Sequence, residues 1–288
     1  KYLIYLKESN IVEAENELVK LTEAHPSNLS YLNKLASFHL VNKQVEKAIS
    51  IYENILEKDT NNVKALMSLA DYSRKQGEEE KYKYYSKRAF SNENIGIDTK
   101  IAILYNYIQA AEKDTTKLVD AYEYTELLVV AYPAEAKAWA IYGDIYNIDQ
   151  KPKKALEQYK KSLEIRKDIF SVWQQVFFIQ SDFKMFDELI EFTNEAKELF
   201  PNQSLLYFFN AFAHQQKTEL ENSNLAYENG LKMVVNNPNL KSQFYSNLGE
   251  NYNNLNNFEK SDENFDKSLA LNPQNQYVLN NYAYYLSL

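Results

Sequence analysis

The sequence predicts an all-α chain, an array of about seven full helix-turn-helix units with a partial unit at each end. Three observations predict it. First, small and aromatic residues return in one frame at a dominant step of 34 residues. The clearest instance is 136–169, where Trp139, Tyr142, Gly143 and Tyr146 are followed by Ala155, Tyr159, Ser162 and Leu163. Spacings of three and four put the first set on one face of a first helix and the second set on one face of a second helix. Gly143 and Ala155 are small where the two helices must approach closely, and Tyr159 fills the gap one turn on. Second, helix breakers are scarce, with 5 Gly and 6 Pro in 288 residues. Third, the chain carries 24 Tyr, large half-polar rings suited to wide interfaces between helices. One helical pair cannot bury its apolar faces alone, so the unit has to recur.

It does recur, in order. Ala14, Leu18 and Pro26 mark the second half of a partial unit, 1–28, whose first helix must fall in residues 1–7. Unit 29–62 follows with Leu32, Leu35, Ala36 and His39, then Ala48, Tyr52 and Ile55 and a turn over residues 59–62. Unit 63–96 keeps the frame through Leu66, Leu69, Ala70, Gly77 and Ala89, with Tyr82 where a small residue is usual. Unit 97–135 is five residues longer than the 34-residue step; Ala121 and Pro133 hold its second helix in phase, which places the extra residues near Glu112–Lys117. Unit 136–169 is the type example. Unit 170–203 carries Trp173, Phe177, Ala196 and Pro201. Unit 204–241 carries Tyr207, Ala211, His214, Ser223 and Tyr227, with four extra residues around Val234–Pro238. Unit 242–275 repeats Tyr245, Leu248, Gly249, Tyr252, Ser261 and Phe265, and a partial unit, 276–288, opens with Leu279, Tyr282 and Ala283.

The order Trp139, Tyr142-Gly143, Tyr146, Ala155, Tyr159 resembles the tetratricopeptide repeat, W-x2-L-G-x2-Y followed by A-x3-F, with Tyr standing for Leu and for Phe. The resemblance covers nearly the whole chain as a single array, and implies a right-handed α-α superhelix. Thr60, Asn94 and Lys167 depart from the Pro usual at the closing turn; Thr and Asn can still break a helix there by competing for backbone hydrogen bonds. Arrays with steps of about 40–47 residues do not fit this frame. The aromatic ending, Tyr282 to Leu286, is unlike the polar outer face of a terminal repeat, so the array is expected to continue past Leu288.

Composition narrows the function. The net charge is −8, with no block of five or more Lys and Arg, which argues against a nucleic-acid partner. Without cysteine there is no disulfide, thiolate metal site or cysteine nucleophile. No apolar run approaches the roughly 20 residues that cross a bilayer, so no direct membrane insertion is expected of this segment, and its address is open between cytoplasm and periplasm. The Lys/Asn/Tyr/Ile-rich usage suggests, as a compositional expectation only, a bacterium with an AT-rich genome. His39 and His214 take positions held by Tyr elsewhere, and His25 precedes a turn Pro, so no metal or catalytic site is expected at any of the three. Glu78–Glu80 and Asp262-Glu263 read as solvated helix starts favoured by the helix dipole. No Gly-rich phosphate loop or nucleophile elbow is present, so neither a cofactor nor catalysis is expected.

The resemblance implies protein–protein recognition, with the first helix of each unit lining a concave groove. Its groove side lies opposite the Trp/Leu/Tyr packing side. That assignment gives a mixed basic patch, Lys64, Arg74 and Lys75 with Met67 and Asp71, and an aromatic run, Gln174, Phe178, Leu205, Phe208 and Phe212. An aromatic run in a groove is what a partner peptide or helix would use as anchor. The competing reading packs Phe178, Phe208 and Phe212 against neighbouring units. The expected function is therefore a non-catalytic scaffold or adaptor. The alternatives are the regulatory arm of a larger protein and an array that self-associates end to end.

Overall fold

The computed structural model describes residues 2–7 and 10–286, and every regular element among them is a helix. Residues 1, 8, 9, 287 and 288 lie outside the described residues, and with them the outer limits of the first and last partial units. The helices gather into two compact units, Lys1–Pro133 and Ala134–Leu288.

The first unit contains α1 (Tyr2–Lys7), α2 (Ile11–Ala24), α3 (Leu29–Val41), α4 (Val45–Lys58), α5 (Val63–Gln76), α6 (Glu79–Ser91), α7 (Ile97–Lys113) and α8 (Leu118–Ala131). Each helix packs on the next in the chain. Asparagine starts several of them: the Asn28 side chain accepts from the Ser30 and Tyr31 N–H groups at 3.0 and 3.3 Å, and Asn62 accepts from Ala65 at 3.2 Å. Asn28 therefore serves the turn, as does Asn202 in the turn before residue 204. The core between α5 and its neighbours is made by Leu66, Leu69 and Ala70, and Ala14 and Leu18 of α2 pack against Leu35 and Phe38 of α3. The five extra residues of 97–135 lengthen α7 to 17 residues and add a 3₁₀ turn, Thr115–Lys117, before α8.

The second unit contains α9 (Ala136–Ile148), α10 (Pro152–Ile165), α11 (Phe170–Asp182), α12 (Phe186–Leu199), α13 (Ser204–Gln216), α14 (Leu220–Met233), α15 (Pro238–Asn254), α16 (Phe258–Leu271) and α17 (Gln276–Leu286). Consecutive helices again form the contacts, most extensively α9 with α10, α13 with α14 and α15 with α16. The close approach of α9 and α10 has a visible cause: a Cβ on Gly143 would lie 2.5 Å from the Tyr159 ring. The buried Ser162 hydroxyl donates to the Ala136 carbonyl at 2.9 Å, and Ser268 donates to Ser242 at 2.8 Å in the equivalent places of 242–275. Those bonds tie the end of a second helix to the start of its first. The four extra residues near Pro238 go into α15, which starts one turn early under an Asn237 cap.

A left-handed residue recurs at the turn inside the pairs: Lys43, Gly77, Gln150, Lys184, Thr218 and Asn256 have φ between 54° and 74°. Only one is glycine. The pair α7/α8 has no such residue, because its turn is replaced by the added helix and 3₁₀ turn. Glu78 stands at the N-cap position of α6 without a side-chain capping bond and Glu79 and Glu80 open the helix, whereas Asp262 and Glu263 sit in the second turn of α16, where Glu263 pairs with Lys267 at 2.6 Å. His39 is buried with its Nδ1 2.5 Å from Gln44, and His214 contacts Glu219 at 2.6 Å, so both serve the interhelix turns.

Candidate functional site

The aromatic candidates all lie in the second unit, on α11 and α13, two first helices that touch each other directly. On α11 the packing side is Trp173, Val176 and Phe177, all buried, with the Trp173 indole N–H donating to the Lys167 carbonyl at 2.7 Å. Phe178 turns the other way. It is 49% exposed, and its ring stands edge-on to Phe209 of α13, centroids 5.1 Å apart. Gln174, one turn before it, is half-buried.

On α13 the candidates divide. Phe208 is half-buried and edge-on to Phe209, Tyr227 and Phe244, with centroids 5.5 to 6.0 Å apart, so much of its ring area is spent joining α13 to α14 and α15. Phe212 meets Phe186 of α12 at 6.1 Å, and Leu205 packs against the core of α10–α13. Phe209 thus links Phe178 with Phe208, while Phe212 faces a different partner. Of the four apolar candidates, only Phe178 is among the exposed large hydrophobic residues.

The basic candidates lie in the first unit, on α5. Lys64 stands at the start of the helix and is exposed, about 15 Å along the axis from Arg74. Arg74 and Lys75 share one carboxylate, with Asp71 receiving them at 2.9 and 2.6 Å. Burial pulls the Asp71 carboxyl upward, but the hydrogen bonds from Lys75 and Arg74 outweigh it and hold the carboxyl below its ordinary value. The patch is therefore half neutralised from within its own helix. Arg74 also lines a cleft of about 290 Å³ with Tyr82, Asn106, Tyr107, Lys113 and Lys117. Its floor is a tyrosine stack, Tyr82 on Tyr107 at 4.9 Å, and the Tyr107 hydroxyl donates to that of Tyr124 at 3.2 Å. Burial pushes the Tyr124 phenol up to about 12, so the stack stays neutral at physiological pH. Lys113 ends the lengthened α7 and Lys117 the added 3₁₀ turn, and Lys117 pairs with Glu79 across the cleft. The place of this insertion is legible from the repeat phase, but nothing in the residues signals that it walls a cleft.

No group of three or more His, Cys, Asp or Glu that could hold a metal occurs among the described residues. Among the same residues, no helix is long and apolar enough to cross a membrane.

Helical hairpins joined in sequence, small residues where they close and a side-chain surface along the first helices define a helical-repeat protein. The particular family follows from comparison. The family model for the tetratricopeptide repeat matches residues 136–169 and 242–275, so these two units are similar to tetratricopeptide repeats. These are the two units in which Gly143 and Gly249 stand against Tyr159 and Phe265. No curated protein matches the chain in sequence. Among solved structures it is similar to MamA 41-end from Desulfovibrio magneticus RS-1, with 14% identity, a TM-score of 0.51, and coverage of 62% of this chain and 97% of that one. It is similar to a further crystal structure of MamA at 15% identity and a TM-score of 0.50, covering 57% of this chain and 93% of that one. At this identity the likeness is one of fold. Tetratricopeptide repeats are protein–protein interaction modules, so the two matched units support a scaffold of the protein-interaction class.

Proposed function

We propose that this chain is a non-catalytic adaptor that takes a partner peptide or helix across α11 and α13, with Phe178 as the apolar anchor and Gln174 and Leu205 beside it. One observation carries the reading. Phe178 presents about half of its ring to solvent while its other edge is fixed by Phe209, so it is both available and held in place. A rigid exposed aromatic on a surface of adjacent helices is a favourable anchor, because its burial adds apolar area with little further loss of rotamer freedom. Phe208 and Phe212 contribute by fixing the helices that carry this surface. On the first unit, taken by itself, Lys64, Arg74 and Lys75 supply a polar contact for a partner. Net charge of −8 favours a protein partner over a phosphate backbone.

The test is capture from lysate of the source cell by the intact chain and by Phe178→Ala. A protein held by the first and lost by the second, with unchanged far-UV circular dichroism, supports the reading; equal capture by both refutes it. A second reading rests on α17, where Leu279 and Leu286, seven residues apart, are exposed on one face of a short helix. A face of that kind suits end-to-end association. Mass in solution that rises with concentration, and falls to monomer in Leu279→Glu, would support it; a monomer throughout would refute it.

A further inference from the structure

Of the consecutive α-helices in the first unit, α6 and α7 touch each other least. The cleft of about 290 Å³ opens between them, beside the end of α5. Ion pairs that bypass α7 hold it open. Lys117 pairs with Glu79, Lys83 with Asp120 at 3.0 Å and Lys87 with Glu123, so α6 is joined directly to the 3₁₀ turn and to α8. Two of the lining residues, Lys113 and Lys117, come from the stretch that makes this unit longer than its neighbours.

The apolar part of the lining is rigid. Tyr82 and Tyr107 stack with their planes 16° apart, and Tyr82 is only half-buried, which leaves part of its ring to the cleft. Polar groups of both kinds stand around it. The Asn106 amide nitrogen donates to the Ala102 carbonyl at 3.3 Å, so its Oδ1 is the atom left to accept. Gln109, exposed one turn of side chains further on, offers a donor and an acceptor, Arg74 and Lys113 offer donors, and Glu79 is an acceptor in the wall.

This lining selects by elimination. The cations are largely answered from within, Arg74 by Asp71 at 2.9 Å and Lys117 by Glu79. An arriving anion meets the Glu79 carboxylate, and an arriving cation meets Arg74 and Lys113. A wholly apolar ligand would strand the amides without partners. What remains is a neutral molecule with a flat apolar face and a rim of groups that both donate and accept, which is to say hydroxyls. A pyranose with equatorial hydroxyls has that form, and the cleft lies at the small end of ligand pockets, with room for one ring.

We propose that this cleft binds a neutral hexopyranose ring against Tyr82, with Asn106, Gln109 and Glu79 accepting from its hydroxyls and Arg74 and Lys113 donating to them. The site lies wholly in the first unit and does not depend on the α11/α13 surface.

The test is saturation-transfer difference NMR on the intact chain with the methyl β-glycosides of glucose, galactose and N-acetylglucosamine. Expected for at least one is a saturable signal with a dissociation constant on the order of 1 mM, strongest on the axial ring protons of one face. Gln109→Ala, at an exposed position, weakens binding about fivefold, as for loss of one hydrogen bond, and Asn106→Ala does the same. Tyr82→Leu removes the signal; Ala110→Leu, which fills the cleft from α7, serves if that variant loses its far-UV circular dichroism. Cellobiose bound more tightly than methyl β-glucoside identifies a glycan, and equal binding a free sugar; either bears the proposal out. No saturable signal from any of the three glycosides, unchanged binding in the variants, or tighter binding of benzoate or N-acetyltyrosinamide than of the best sugar overturns it.

Discussion

Gly230→Ala is the sharpest perturbation of the packing described above. A Cβ built on Gly230 of α14 would lie 2.7 Å from the Tyr207 Cβ and 2.9 Å from Phe244 Cζ, and closer still to Phe244 Cε1. Ordinary carbon contacts are about 3.5–4.0 Å, so the helices must part by roughly 1 Å. Neither neighbour yields easily. The Tyr207 atom is bonded to the backbone of α13, and Phe244 is fully buried between Phe208 and Tyr227. Overpacking of this kind costs about 1–3 kcal/mol, while replacing a helical glycine by alanine recovers up to about 1 kcal/mol. A net loss of about 1–2 kcal/mol follows. With a urea slope near 2 kcal/mol/M, the midpoint falls by about 0.5–1 M. The assay is urea unfolding followed by far-UV circular dichroism and by fluorescence of Trp139 and Trp173, the chain's 2 tryptophans, both in the same compact unit as Gly230. Gly249→Ala provides the comparison, because the three atoms nearest its Cβ all belong to the Phe265 ring, at 2.9–3.0 Å. Equal or greater stability of Gly230→Ala, or a larger loss in Gly249→Ala, would refute the reasoning.

Three further outcomes are expected. Thr218 is a β-branched residue at φ 59°, so Thr218→Gly relieves strain of about 1–2 kcal/mol against a smaller entropic loss; a raised urea midpoint supports this, and a lowered one contradicts it. Asn251, fully buried, donates to Ser223 Oγ at 2.8 Å and Asn224 Oδ1 at 2.9 Å, so Asn251→Ala leaves both without their donor and costs about 1–3 kcal/mol in the same melt. Burial lifts the Asp144 carboxyl above its ordinary value, although the Tyr159 hydroxyl donates to it at 2.8 Å. A raised carboxyl binds its proton more tightly when folded. Its contribution is therefore present below about pH 3.9, the unfolded value, and is lost as pH rises through the folded value. Asp144→Asn should then match the parent near pH 3 and exceed it at pH 7; a lower midpoint at pH 7 would contradict the assignment.

Much of this fold is legible in the sequence because packing between paired helices demands specific sizes at specific places. Gly143 and Ala155 announce a close approach, and Tyr159 announces the volume that fills it. The turns inside the pairs are less legible. Lys43, Gln150, Lys184 and Thr218 carry no signal for a left-handed backbone, since only Gly77 and Asn256 are residues that adopt it readily. Local propensity is overruled there by the two helices that the turn must join. The insertion in 97–135 can be placed from the phase of Ala121, but not its conformation, because an extra helical turn and a flexible loop look alike in composition. For the candidate site, the helical wheel separates Phe178 from Trp173 and Phe177. It does not show that Phe208 is occupied by Tyr227 and Phe244, as those contacts come from the second helix of its own unit and the first helix of the next.

The measurement that bears most directly on the adaptor reading is site-specific photo-crosslinking in the source cell, with p-benzoylphenylalanine in place of Phe178 or of Leu199. The two positions are comparably exposed, at 49% and 46%, but only the first lies on the α11/α13 surface. The expected result is a discrete protein adduct from position 178 that is absent from position 199 and lost on adding Leu205→Glu. Adducts of equal yield from both positions, or from position 199 alone, would contradict it.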